Sequence, residues 1–336
     1  MDNSKPTKTD ETKNAYLLRA KSITSHFQRK VGRTMEPDDP EFIPYFLART
    51  KNKSQSNWRQ LKASMIHYFE VTGQNKLASK LLNMEVNHED TTSKSLFNLT
   101  SSKKKKSVSD AELKKIGKYL ITTGGSSTPP AYDKALMCMF NGSIATGLRP
   151  VEWSTAEIID VAPENIELAP PILKVKNAKS TNGRSYGEYR YLGLSDLSEI
   201  NMNFVRLAIR FCSNPVNKYG ESITFPEFYK NCRGRFYNVI NHVFNKPKDN
   251  RITLYSARHQ FIANLKIAGY PLEEIACLVG HGNDLTASKH YGKRRVGNKN
   301  ASGFPKANKS DIAKVRARYQ HFAQHNHNIK TKDSTN

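Results

Sequence analysis

Acidic residues, cysteines and long apolar runs are all scarce in this chain of 336 residues. Asp and Glu number only 30 against 53 Lys and Arg, which leaves a formal charge of +23 at pH 7. The four cysteines, Cys138, Cys212, Cys232 and Cys277, lie far apart with no Cys-x-x-Cys or Cys/His pairing. That spacing argues against both a zinc site and a disulfide framework, so reduced packing residues are expected. No stretch approaches the roughly 18 apolar residues of a spanning helix, and Met1 to Lys13 is polar, without the apolar run of a signal peptide. The expectation is a cytoplasmic protein with no membrane partner. Neither a phosphate-binding P-loop motif nor a His-Glu-x-x-His motif occurs, so nothing points to nucleotide hydrolysis or to a zinc hydrolase.

What is present is aromatic and basic. Fifteen Phe, fifteen Tyr and two Trp are too many for a disordered polyelectrolyte, although the hydrophobic fraction is only 37%. A folded, strongly basic protein calls for a polyanionic partner, because each phosphate that a cation neutralises releases condensed counterions. The length suits two domains.

Periodicity divides the chain. Residues 14–86 read as helices joined by short turns. Tyr16, Leu17, Ala20, Ile23 and Phe27 share one face of a helix over Ala15 to Val31. Further helices are expected over Glu41 to Leu47, Ser56 to Val71 and Leu77 to Leu82. Between His88 and Ser107 the periodicity disappears and the chain runs into Lys103-Lys104-Lys105-Lys106, which reads as a basic linker. The expected boundaries are a helical domain over 1–88, a linker over 89–106 and a second domain over 107–336.

The second domain opens on Ser109-x-x-Glu112, a capping-box pattern. A helix over Tyr132 to Ala145 follows. Ile172 to Val175 and Tyr189 to Leu194 then flank the turn-rich stretch Asn177 to Gly187, predicting a β-hairpin with a long basic tip. Helices are expected over Glu199 to Phe211, Pro226 to Phe244, Tyr255 to Ala268, Pro271 to Val279 and about 310–325. The last of these carries Ile312, Val315, Tyr319 and Phe322, a face that can pack on its own domain or on a neighbour's.

If the polyanion is cut as well as bound, a phosphodiester needs an in-line nucleophile, cations aimed at its non-bridging oxygens and a proton for the leaving oxygen. Arginine suits the second task, because its planar, permanently charged fork can hold two phosphate oxygens. Ala145-Thr146-Gly147-Leu148-Arg149-Pro150-Val151-Glu152 ends one helix, and Tyr255-Ser256-Ala257-Arg258 starts another. Leu278-Val279-Gly280-His281 and then His290-Tyr291 follow in order.

This series resembles the tyrosine recombinase family, the phage-integrase-like DNA strand-exchange enzymes. The likeness runs from Ser107 to about Arg295, and the helical segment before it resembles the family's core-binding domain. The resemblance implies a mainly α fold with a small β-sheet: an all-helical N-terminal core-binding domain and a mixed α+β catalytic domain. It implies a site-specific recombinase or integrase of mobile genetic elements that cleaves and rejoins DNA through a 3′-phosphotyrosyl intermediate. Tyr291 would be the nucleophile, Arg149 and Arg258 would hold the phosphate, and His281 would donate a hydrogen bond to it. A hairpin lysine, Lys179 or else Lys176, would protonate the leaving 5′ oxygen, while Glu152 would orient Arg149 or brace the helix. Tyr255 stands where the family usually has histidine, and a phenol can donate to phosphate but is a poor base near neutral pH.

Neither cofactor nor metal is implied. The implied partners are double-stranded DNA carrying a recombination site, a homotetramer on two duplexes and an accessory DNA-bending protein. A non-catalytic DNA-binding protein on the same fold, or a telomere-resolvase-like enzyme, remain the alternatives.

Overall fold

The computed structural model describes residues 10–51, 53, 55–84, 104–122, 132–178, 185–245, 250–290 and 293–319. The chain divides into two compact units, Met1–Ser102 and Lys103–Asn336.

In the first unit four helices are described: α1 (Asp10–Val31), α2 (Phe42–Thr50), α3 (Gln55–Val71) and α4 (Asn75–Asn83). Helix α1 starts five residues earlier than its apolar face requires. Asp10 and Glu11 in the first turn and Arg29 and Lys30 in the last complement the helix dipole at both ends. Ala20, Ile23 and Phe27 meet Phe42, Phe46, Met65, Phe69, Leu77 and Leu81 in one buried core. The Phe42 ring stands edge-on to Phe27 and Phe69, with centroids 5.4 and 5.1 Å away. The proline-containing turn between α1 and α2 is closed by the buried Asp39 carboxylate. It binds the Arg33 guanidinium and accepts the Glu41 backbone N–H at 3.0 Å.

The second unit begins by docking its own lysines. Lys105 N–H donates to Arg251 O at 2.9 Å, and the Lys105 ammonium pairs with Glu112. Ser109 and Glu112 form the reciprocal bonds expected of a capping box and start α5 (Asp110–Thr122). Helix α6 (Asp133–Thr146) is buried along most of its length, packing against α7 (Glu199–Ser213) and α9 (Leu254–Ile267), with α8 (Phe225–Val243) alongside. Trp153, the largest fully buried side chain, donates its indole N–H to Ser143 at 2.9 Å. All four cysteines are reduced and buried, three of them (Cys138, Cys212 and Cys232) in this core.

The sheet is small and antiparallel, in the order β1 (Glu157–Ile159), β2 (Ile172–Lys176), β3 (Tyr189–Gly193) and β4 (Lys306–Ala307). The two middle strands form the expected hairpin. The outer two have no sequence signal of their own: β1 is three residues long, and β4 pairs with residues more than a hundred positions earlier, Leu192↔Ala307 and Gly193↔Lys306. Three further short α-helices are described: α10 (Leu272–Leu278), α11 (Asp284–His290) and α12 (Lys309–Ala313).

At the C-terminus the structure differs from the continuous helix expected over about 310–325. Helix α12 stops at Ala313, and Lys314 to Arg318 are not helical. Competing partners explain the break. Arg316 N–H donates to Gly282 O at 3.2 Å, and the buried Asp284 carboxylate accepts the N–H groups of Arg318 at 2.7 Å and Tyr319 at 3.1 Å. Val315 is buried beside Ala276 and Cys277. Residues 306–316 therefore pack on their own unit, while Phe322 lies outside the described residues.

Candidate active site

Three separate stretches of chain meet in one buried cluster around Glu152 and Arg258. The first is the end of α6, where Gly147 takes φ +71° in the left-handed region. A Cβ at Gly147 would stand 2.3 Å from the Phe261 ring, so both the turn and the close approach require glycine. The turn delivers Arg149 to the start of a 3₁₀ turn over Pro150–Thr155. There Glu152 reaches back, accepting the Arg149 backbone N–H at 2.8 Å on Oε2 and the Arg149 guanidinium on Oε1.

The second stretch is the start of α9. Thr253 N–H donates to Ser256 Oγ at 3.0 Å, and Ser256 Oγ–H donates to Lys105 O at 2.6 Å, which fixes the first turn. Arg258, fully buried on this helix, donates Nη1–H to Gly147 O at 2.7 Å and Nη2–H to Val279 O. Its Nη2 lies 3.1 Å from His281 Nε2, and its Nη1 lies 3.7 Å from Glu152 Oε2.

The third stretch is the end of α10. Gly280 has φ +66°, and a Cβ there would fall 2.2 Å from Asn177 Oδ1. The turn folds back so that His281 N–H donates to Ala276 O at 2.8 Å and the imidazole is buried. Three successive carbonyls at this helix end, which α-helical geometry leaves without intrahelical donors, accept from three different side chains. Cys277 O accepts from Tyr186 Oη at 3.2 Å, Leu278 O from Arg190 Nε at 3.1 Å, and Val279 O from Arg258.

Arg190, on β3, is the residue that sequence reasoning missed. It is fully buried, and its Nη2 donates to Glu152 Oε2 at 2.7 Å. A signal existed: on a strand, Arg190 shares the face of Leu192, so a cation occupies a core-facing position. Asn177, buried at the hairpin base, accepts from Arg190 Nη1 at 2.5 Å and donates to Gly187 O at 2.9 Å.

The described cluster thus sets three guanidiniums, Arg149, Arg190 and Arg258, around one carboxylate. Burial alone would raise the Glu152 carboxyl, but the charges of Arg190, Arg149 and Arg258 and the Arg190 hydrogen bond outweigh it. They hold the group well below the usual carboxylate range, fixing Glu152 as an anion.

Of the residues chosen from sequence, Arg149, Glu152, Arg258 and His281 meet here. Tyr255 lies one turn before Arg258 on α9, half-buried, its ring edge-on to His259 at 5.5 Å. Lys176 ends β2, and its ammonium is 3.1 Å from Glu188 across the hairpin, a bond that raises its pKa. Lys179 and Tyr291 lie outside the described residues; α11 ends at His290, immediately before Tyr291.

His259 sits beside the cluster. Burial, then the charges of Lys106, Arg258 and Lys266, lower its pKa to about 4. The folded protein therefore resists a proton that the unfolded chain accepts below about pH 6.5. Stability is expected to fall as pH drops from about 6.5 towards 4, and less steeply in His259→Gln. Melting temperatures at pH 7 and pH 5 check this; identical slopes in the two proteins would refute it.

No protein-family model matches this chain, and no curated protein matches it. Solved structures do. The chain has the fold of the tyrosine recombinases, mainly helical with a small antiparallel sheet. The integrase of transposon Tn1549, solved in complex with circular intermediate DNA, superposes with a TM-score of 0.54 at 15% identity, over 85% of this chain and 90% of that one. A second structure of that integrase, with transposon right end DNA, gives 0.51 at 12% identity over 84% and 88%. A lambda integrase dimer bound to a core site gives 0.48 at 14% identity over 88% and 90%. Among the described residues no helix is long and apolar enough to cross a membrane.

Proposed function

We propose that the protein is a site-specific DNA recombinase that breaks and rejoins strands through a 3′-phosphotyrosyl intermediate, acting as a tetramer on two duplexes inside the cell. The observation that carries this reading is the buried group of Arg149, Arg190 and Arg258 around Glu152 with His281 alongside. Such an excess of buried positive charge suits an anion, and the overall charge of +23 suits a long one. The fold shared with integrases crystallised on DNA supports it.

In this reading Arg149 and Arg258 hold the non-bridging oxygens of the scissile phosphate, and His281 donates a third hydrogen bond. Tyr255 can donate from α9. The Tyr291 oxygen attacks phosphorus and loses its proton to a neighbouring base or water. The bond to the 5′ oxygen breaks, and that oxygen takes a proton from Lys179. Because the phosphodiester energy is kept in the tyrosyl ester, the reverse step rejoins DNA with no nucleotide consumed. Residues 1–88 form the core-binding half, 89–106 the linker, whose last residues dock on the second unit through Lys105, and 107–336 the catalytic half.

The test uses a duplex site that the protein itself selects from a randomised pool, prepared as a panel of nicked versions so that the released strand diffuses away. Wild type is expected to give a denaturant-resistant protein–DNA adduct and Tyr291→Phe none. Tight binding without any adduct from wild type would establish the non-catalytic alternative.

A further inference from the structure

Arg190 makes contacts that the phosphate-binding scheme does not use. Its guanidinium joins three parts of the second unit with three different nitrogens. Nη2 donates to Glu152, the carboxylate that also holds Arg149; Nε donates to Leu278 O, two residues before Gly280; and Nη1 donates to Asn177 Oδ1. Asn177 lies at the base of the hairpin tip and closes it twice, donating its backbone N–H to Glu188 O at 2.8 Å and its side-chain amide to Gly187 O at 2.9 Å. The next residue, Ala178, donates its backbone N–H to Glu152 Oε1 at 3.3 Å. On the returning arm Tyr186 is tied to Cys277 O. The base of the hairpin is therefore bolted, through one buried arginine, to the same carboxylate and the same helix end that position Arg149, Arg258 and His281.

From this we infer that Arg190, together with Asn177, is a positioning residue for the hairpin: it fixes Asn177 and Ala178, the two residues that precede Lys179, against the carboxylate that holds Arg149, and so supports protonation of the leaving group. The inference rests on the recombinase reading above. An acid carried on a hairpin needs a fixed base, because proton transfer demands hydrogen-bond reach of the leaving oxygen. Arginine suits the task where lysine would not, since its rigid fork satisfies a carboxylate, a carbonyl and an amide oxygen at once.

The chemistry separates this role from a merely structural one. A bridging sulfur in place of the 5′ oxygen leaves as a thiolate, which is far less basic than an alkoxide and departs without a proton donor. A variant whose acid is misplaced recovers on that substrate, whereas a variant whose phosphate site or fold is damaged does not. Four proteins are compared on the selected site with a bridging oxygen or a bridging 5′ sulfur: wild type, Arg190→Met, Asn177→Ala and Lys179→Ala. Arg190→Met and Asn177→Ala are expected to lose about 100-fold in the rate of adduct formation with oxygen, the usual worth of a general acid, and to return to within about tenfold of wild type with sulfur. Lys179→Ala calibrates the full effect.

Equal losses on the two substrates, or no loss on either, would overturn the inference. Asn177→Ala keeps the Arg190–Glu152 pair, so it carries the test if Arg190→Met fails to melt cooperatively or to bind the site. The absence of an adduct from wild type on both substrates would instead refute the recombinase reading, which keeps the two failures distinct.

Discussion

Glu152→Ala is expected to destabilise the second unit by about 3–5 kcal/mol, the cost of removing one member of a buried ion pair and leaving its partners without a counter-charge. The cost should fall at the upper end, because one carboxylate here serves three guanidiniums and also accepts the Arg149 and Ala178 backbone N–H groups. Its loss repels Arg149, Arg190 and Arg258 from one another and frees the turn after α6. Urea denaturation at pH 7, followed by far-UV circular dichroism, measures the effect. Glu152→Gln should lose less, since the amide oxygen still accepts hydrogen bonds. The pH dependence follows from the same geometry. The folded carboxyl is held below its ordinary pKa, so its stabilisation is fully present above the ordinary carboxylate range and is lost as pH falls below it. Glu152→Gln should therefore be the less acid-sensitive protein.

Arg149→Lys is expected to slow adduct formation about 10²–10³-fold, the usual loss when one preorganised donor to a developing oxyanion is removed. The positive charge stays, but the fork that can hold two phosphate oxygens at once does not. DNA affinity should change only a few-fold, because most of the 53 basic residues lie outside this cluster and, in the proposed reading, supply the contacts to backbone phosphates independently of it. Single-turnover cleavage and equilibrium binding on the same duplex separate the two quantities. A parallel loss in both would mean that Arg149 contributes to general binding and not to the reacting phosphate.

Much of this arrangement was legible in the sequence because its signals are local. The apolar stripe of α1, the Ser109/Glu112 cap and the turn-rich stretch between β2 and β3 each announce an element from within a dozen residues. Arg149, Glu152, Arg258 and His281 were legible because their boxes occur in order, and the fold brings all four together.

What was not legible depends on distant partners. Strand β4 exists because β3 offers it an edge. The C-terminal helix ends early because Gly282 and Asp284, far away in sequence, take its backbone N–H groups. In the sequence Arg190 is one more cation in a basic chain. Only burial shows that it sits on the core face of β3 and links Glu152, Asn177 and the end of α10.

In the proposed mechanism Tyr291 attacks a phosphate held by Arg149 and Arg258. The most direct measurement is mass spectrometry of the protease-digested covalent adduct formed on the selected, nicked duplex. The expected product is a nucleotide esterified through its 3′ phosphate to Tyr291. Attachment to any other residue, attachment through a 5′ phosphate, or a tightly bound site that never yields an adduct would contradict it.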